Sequence, residues 1–337
     1  MNKIFIVFFV LISFVTFAKS QSSNYTNEDL QKMNGEIVKL FQQKKFDEAL
    51  PLAKKAVEIA EQVFGNNNLE TAKALRNLGF IQFFKNDQKA AEDTFEKALN
   101  IYKKIPNLNT ADGANFAEVA EFLAVIKYIN QKGDAESLFE LALEWFEKTS
   151  GANSIKTSKS LYALANINYW RGSYEKSARY FGRLFDVVIK NPNNKEVSLT
   201  MVYHRAKCAY RKAKMDDDFE VIQTQYQNLS KEKSENILQT NTSAQNINSG
   251  VVNGKALNLA TPAYPIEARK VRASGEIRVE VLINEEGTVV CACAERGGNA
   301  ALIEASEAAA YRSKFMPTKL DGKVVTVSGI IIYKFIP

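Results

Sequence analysis

The sequence predicts a two-part chain: an all-α helical-repeat solenoid, followed by a small α+β domain in which an antiparallel sheet carries one main helix. Three observations predict it. Small residues recur at Ala49, Ala91, Ala135 and Ser177, at spacings of 42, 44 and 42 residues. The helical period then gives way, after Gly275, to strict alternation at Ile277, Val279, Val281 and Ile283. Between the two regimes, Ser230 to Gly250 is rich in Ser, Asn and Gln and poor in large apolar residues. A period near 3.6 argues for an amphipathic helix, and a period of 2 for a half-buried strand.

The first element reads as an export signal. Lys3 precedes an apolar run from Ile4 to Phe17, and Ala18 and Ser20 occupy the −3 and −1 positions of a cleavage site after Ser20. As a helix that run would span only ~21 Å, short of the ~30 Å hydrocarbon core of a bilayer. Residues 1–20 are therefore expected to direct export and be removed. The alternative is a retained leader that anchors the chain in a membrane.

Residues 27–229 read as about four and a half helix pairs. "QKKFDEALPLAKKAV", "KNDQKAAEDTFEKAL", "NQKGDAESLFELAL" and "RGSYEKSARYFGRLF" are versions of one unit. Four and seven residues beyond each small position stand Ala53 and Ala56, Phe95 and Ala98, Phe139 and Ala142, Phe181 and Leu184. These share one helix face, with small residues where two helices approach closely. Leu78-Gly79, Leu123-Ala124 and Leu164-Ala165 mark the preceding helix of three units. The fifth unit has Phe219 at the small position, as suits a terminal repeat with one face to solvent.

These positions resemble the tetratricopeptide repeat, with Phe46 and Tyr174 as turn aromatics. The period exceeds the usual ~34 residues, so the units resemble the extended variant of kinesin light chain, whose linker is similar to "VFGNNNLETAKAL". The resemblance implies stacked pairs whose first helices line an inner surface. Its candidates are Lys73, Arg76, Phe80 and Phe83 in the second unit and Tyr162, Asn166 and Tyr169 in the fourth. A mixed aromatic and polar surface suits a peptide in a solenoid groove; packing of the same aromatics between repeats is the competing reading.

Residues 230–250 read as a linker with a reach of ~25 Å as a flexible coil. The tail, residues 255–337, holds a strand at Ile277–Ile283, a tight reversal at Glu285-Glu286-Gly287, a second strand to Ala294, a helix from Ala300 to Arg312, and a long last strand from Val324 to Phe335. Tyr264-Pro265, Ala268-Arg269, Gly275, Gly287, Phe315-x-Pro317 and Tyr333-x-Phe335 together resemble the C-terminal domain of TonB, the periplasmic energy transducer. Each motif residue also has a local reason. Pro265 suits a helix start. Gly275 releases the chain into a strand, Gly287 permits a positive φ, Pro317 stops the helix, and Tyr264 serves as a packing anchor. The resemblance implies capture of a short extended segment of an outer-membrane transporter beside the last strand, through backbone hydrogen bonds. The contacts would fall at Val325, Val327, Gly329, Ile331 and Tyr333. A central or dimer-paired last strand is the alternative. The chain departs from the family in having only 7 prolines, no Pro-rich spacer and a removable leader.

The net charge of +6 is unevenly spread. Asn153 to Lys214 carries 13 Lys/Arg against 3 Asp/Glu, whereas Asn115 to Ala152 carries 3 Lys against 7 acids. Such asymmetry marks either a charged contact surface or a solvated face. No recognition motif accompanies the basic stretch, so nucleic acid is not an expected partner. The three cysteines read as packed small residues: Cys291 and Cys293 point the same way from one strand, a poor geometry for bridging. With a single histidine, His204, and no phosphate loop or nucleophile set, neither enzyme activity nor a cofactor or metal is expected. The expected function is therefore an exported periplasmic interaction protein. Its repeats bind one protein, and its TonB-like domain binds an outer-membrane transporter or envelope protein, with energy coupling as a further possibility. The alternative is an envelope scaffold that binds cell wall or itself. Membrane contact is expected only peripherally unless the leader stays.

Overall fold

The computed structural model describes residues 25–237, 247–295, 297–320 and 322–336. The expected export signal and part of the expected linker lie outside the described residues. The chain forms two compact units, one ending at Pro106 and the other beginning at Asn107. The repeat-to-tail boundary expected from composition is thus not the boundary between compact bodies.

The first unit contains α1 (Asn27–Gln42), α2 (Phe46–Phe64), α3 (Leu69–Phe84) and α4 (Gln88–Tyr102). A capping box starts α1: Asp29 N–H donates to Thr26 Oγ1 at 3.2 Å, while Asp29 accepts from Thr26 N–H at 2.8 Å. Ala49, Ala53, Ala91, Phe95 and Ala98 are fully buried where helices meet, as the repeat pattern requires.

The second unit opens with α5 (Thr110–Ile129), α6 (Ala135–Ser150), α7 (Ser158–Trp170), α8 (Tyr174–Lys190), α9 (Leu199–Ala213) and α10 (Asp216–Ile237). Consecutive helices pack as antiparallel pairs over Phe139, Phe181 and Phe185. Phe219 packs against Tyr210 and Tyr203, with ring centroids 5.7 and 5.6 Å away, and so closes the last pair. No described helix is long and apolar enough to cross a membrane.

The tail follows as β1 (Ile247–Val251), β2 (Ala256–Asn258), α11 (Ile266–Lys270), β3 (Gly275–Ile283), β4 (Val289–Ala294), α12 (Ala300–Arg312), β5 (Lys314–Phe315), β6 (Lys319–Leu320), β7 (Lys323–Val324) and β8 (Val327–Phe335). The main sheet has the order β1-β8-β3-β4. β3 pairs antiparallel with β4 and, along its full length, with β8; β1 runs parallel to β8. Ile277, Val279, Val281 and Ile283 are buried with Ile331, Tyr333 and Phe335 against Leu302, Ala309 and Ala310 of α12.

Two boundaries differ from the sequence expectation. The last strand starts at Val327 rather than Val324, because Lys323–Val324 pairs back on Lys319–Leu320. The linker is shorter at both ends: α10 continues to Ile237, and 247–251 is a strand. Its Asn, Ser and Gly residues have weak β propensity, but β8 offers a ready edge, and tertiary context overrides propensity.

The motif residues sit where the fold needs them. Pro265 is the N-cap residue of α11, one position before its first turn, and Gly275 begins β3. Tyr264 donates its hydroxyl to Ala273 O at 2.6 Å and packs edge-on against Phe335. Gly287 closes the β3–β4 turn, its N–H donating to Asn284 O at 3.0 Å.

Candidate protein-binding surfaces

Strand addition needs a sheet edge with unpaired backbone groups, so the two flanks of the sheet decide what it can bind. On one flank, Glu295 N–H donates to Arg278 O at 2.8 Å, which directs the alternate residues Ala292 and Ala294 outward. Side chains seal that edge. Ala294 N–H donates to Glu307 Oε1 at 2.9 Å, and Arg211 Nη1 donates to Ala294 O at 2.8 Å. Cys208 Sγ lies 3.9 Å from Ala292 O.

On the other flank, Val252 N–H donates to Ile330 O at 2.9 Å. By alternation, Ser328, Ile330, Ile332 and Lys334 present their backbone groups outward, while Val327, Gly329, Ile331 and Tyr333 pair with β3. The contact positions expected from sequence are therefore one residue out of register. Their side chains fill the core instead: Val327, Ile331 and Tyr333 are buried. Val325 lies outside β8, and its N–H donates to Thr318 O at 2.9 Å.

The outer edge of β8 is not open along its length: β8 is a central strand between β3 and β1, the alternative named from the sequence rather than the expected free edge. β1 lies on it with Ile247 beside Val327, Asn248 beside Ser328 and Val251 beside Ile330. The next residue, Val252, is 2% exposed and enters the sheet's core over Gly329. A Cβ on Gly329 would stand 2.4 Å from Val252 Cγ1, so the missing side chain makes the room that Val252 fills.

Helix α9 lies against β4, and charge explains why. Lys207 Nζ is 2.6 Å from Glu280 Oε2, with Arg211 Nη2 at 3.7 Å from the same oxygen. Lys212 Nζ is 2.7 Å from Glu307 Oε2. Arg205 Nη1 donates to the Tyr311 hydroxyl at 3.2 Å, and Trp170 meets the Tyr311 ring at 5.5 Å. The basic surplus of α9 is thus a contact surface for the acids of the tail. Glu280→Lys would set a third cation between Lys207 and Arg211. The expected cost is about 2 kcal/mol of docking, between exposed and buried ion-pair values. It is read as faster alkylation of Cys208 and Cys291 under reducing conditions; an unchanged rate would contradict it.

The repeat surfaces divide between the units. Lys73, Arg76, Phe80 and Phe83 are half-buried on α3. The Arg76 guanidinium stands 4.6 Å over Phe80, whose ring meets Phe95 edge-on at 5.4 Å. In the fourth unit only Tyr162 is half-buried, its ring 6.2 Å from Phe181. Asn166 and Tyr169, 9% and 7% exposed, do not line a groove. Asn166 Nδ2 donates to Tyr162 O in its own helix at 2.7 Å. Tyr169 packs between Trp170 and Tyr174, and burial beside Cys208 and Glu307 holds its hydroxyl protonated far above the ordinary tyrosine range.

The cysteines are buried, as expected, but sequence reasoning missed their company. Cys208 of α9 and Cys291 of β4 stand 3.4 Å apart, Sγ to Sγ. The pairing spans 83 residues, and no local pattern announces it. Among the described residues no group of three or more His, Cys, Asp or Glu side chains is placed to hold a metal.

A helical-repeat body carrying a small sheet domain defines a protein-interaction scaffold. Residues 260–337 match the family model of the Gram-negative bacterial TonB protein C-terminal domain, and residues 39–104 match that of the tetratricopeptide repeat. The chain therefore carries a TonB C-terminal domain behind tetratricopeptide repeats. Among curated proteins it is similar to clustered mitochondria protein homologs. It is 28% identical over 117 residues to that of Aspergillus niger and 29% identical over 117 residues to that of Neosartorya fischeri, in each case 35% of this chain. The chain spans only 9% of the length of these relatives. Among solved structures, BtubC (BKLC) from P. vanneervenii is similar at 15% identity and a TM-score of 0.47, covering 65% of this chain and 84% of that one. The kinesin light chain TPR-like repeats of Podosopora anserina are similar at 15% identity and a TM-score of 0.46, covering 60% and 96%.

Proposed function

We propose that the chain is an exported periplasmic protein whose repeats hold one protein partner while the outer edge of β8 receives an extended segment of an outer-membrane transporter, linking the two in energy-coupled transport. One observation carries the reading. The sheet's β4 edge is sealed by side chains of α9 and α12, whereas the β8 edge is covered by a short stretch of the chain's own backbone. Capture is then an exchange in which β1 leaves and the partner takes its place. Since β1 runs parallel to β8, the incoming segment runs parallel too. Backbone bonds supply the affinity, so the captured sequence is free to vary.

The test uses the full chain and a labelled extended peptide from the amino-terminal end of a transporter. Gly329→Val should push Val252 out, loosen β1 and tighten peptide binding roughly tenfold, about 1.4 kcal/mol. The same peptide N-methylated along one edge should lose binding. Equal binding of both peptides would remove the proposal, and recovery of only cell wall or self in a pull-down would favour a structural scaffold. A mature chain beginning at Gln21 supports export; retention of Met1 in the envelope would count against a free periplasmic form.

A further inference from the structure

The structure assigns Cys208 and Cys291 to a disulfide that fastens the last repeat pair to the sheet. The assignment rests on geometry within the second unit and is independent of strand capture. The two sulfurs are 3.4 Å apart on different elements, and both residues are buried, at 2% and 3% exposure. A disulfide needs about 2.05 Å, so the sulfurs must close by roughly 1.4 Å, within the reach of small side-chain rotations. The third thiol, Cys293, also interacts with Cys208, but the 3.4 Å sulfur–sulfur approach is to Cys291. Cys293 shares its strand face with Cys291, which disfavours bridging within β4. Its sulfur takes the Arg211 guanidinium at 3.6 Å and borders a cavity of about 440 Å³ that Lys212, Glu295, Ile303 and Glu307 also line.

In the docked state the two thiols differ. The hydrogen bond from Cys208, with the Arg205 charge behind it, draws the Cys291 thiol below its usual value. Burial pushes the Cys208 thiol up. The oxidant is a small disulfide, R–S–S–R. One of the two cysteine thiolates attacks one sulfur of the reagent, forming a mixed disulfide with R–S and releasing R–S⁻. The other cysteine thiolate then attacks the protein sulfur of that mixed disulfide, forming Cys208–S–S–Cys291 and releasing the second R–S⁻. The two protons lost by the cysteines pass to the two leaving thiolates, and the two electrons reduce the reagent. Because both sulfurs are covered in the docked state, closure accompanies the docking of α9 on β4. The product ties together two segments that are 83 residues apart, so a pull on the sheet reaches α9 through a covalent bond.

The full chain, reduced and unfolded in urea, is diluted into a buffer of oxidised glutathione, alkylated in denaturant and digested for peptide mapping. The expected product is a peptide pair joined through Cys208 and Cys291, with Cys293 alkylated and the free thiols falling from three to one. Three free thiols, a bridge from Cys293 to either partner, or a bridge between two chains overturns the assignment. Peptide capture by the β8 edge is read separately on oxidised and reduced chain, so the two proposals fail by different results.

Discussion

Gly287→Ala should unfold the tail while leaving the first unit's helices intact. Gly287 has φ +74°, a region that costs an L side chain about 1 kcal/mol or more. The larger effect is steric. A Cβ there would stand 1.9 Å from the carbonyl oxygen of Phe315 and 2.9 Å from its carbon. Neither atom belongs to a flexible side chain. Phe315 N–H also donates back to Gly287 O at 2.9 Å, so the segments cannot part without losing that bond, and the Phe315 ring is buried in the core. The expected cost is roughly 4 kcal/mol, a large share of the stability of any small domain. Hydrogen exchange should show Ile277–Ile283 exchanging as an open chain while Leu69–Phe84 stays protected. Protection of β3 equal to that of the unsubstituted protein would refute the argument.

The stability of the second unit should change little with pH across mildly acid solution, because the buried Glu121 and the half-buried His204 oppose each other. Burial pushes the Glu121 carboxyl up to about 7, despite the Ser160 hydroxyl that donates to it at 2.7 Å. Burial, aided by the Lys207 charge, pushes His204 down to about 4. Glu121 binds its proton more tightly in the folded chain, so its contribution is complete below 4.5 and is lost as pH rises through 7. His204 binds its proton less tightly when folded, so its contribution is complete above 6.5 and is lost as pH falls through 4. In the overlap the slopes cancel. Glu121→Gln leaves the histidine slope alone, and stability should climb by roughly 3 kcal/mol between the two histidine values. His204→Gln leaves the carboxyl slope, with a fall of similar size as pH rises. Urea midpoints from pH 4 to 8 check both; identical profiles for the two variants would refute the pairing.

The repeats were legible because their packing is local. Ala49, Ala91, Ala135 and Ser177 are buried, each with further buried residues one and two turns along its own helix. The β3–β4 hairpin was legible for the same reason, with a period-two face and a turn glycine close together. What escaped was long-range. β1 is written in Asn, Ser and Gly, and only the presence of β8 makes it a strand. The contact of α9 with β4 left one trace in the sequence, the basic surplus, whose acidic counterparts Glu280 and Glu307 lie some 70 to 100 residues further on. That trace was ambiguous because charge alone does not say what it faces. The register of β8 was misassigned by one residue because alternation identifies the buried face, while the direction of backbone groups depends on which neighbour pairs first.

Val252, seated over Gly329, keeps β1 tethered beside the edge it covers. A tethered strand acts as a competitor whose local concentration, on the order of millimolar for a short tether, is not lowered by dilution. Any free peptide must displace it, and if β1 itself has micromolar intrinsic affinity for the edge, a free peptide would register about a thousandfold weaker. A segment already confined near the sheet by a second attachment brings its own local concentration to the contest. Engagement would then depend on tether lengths and proximity, and would discriminate between the same sequence held close and the same sequence adrift.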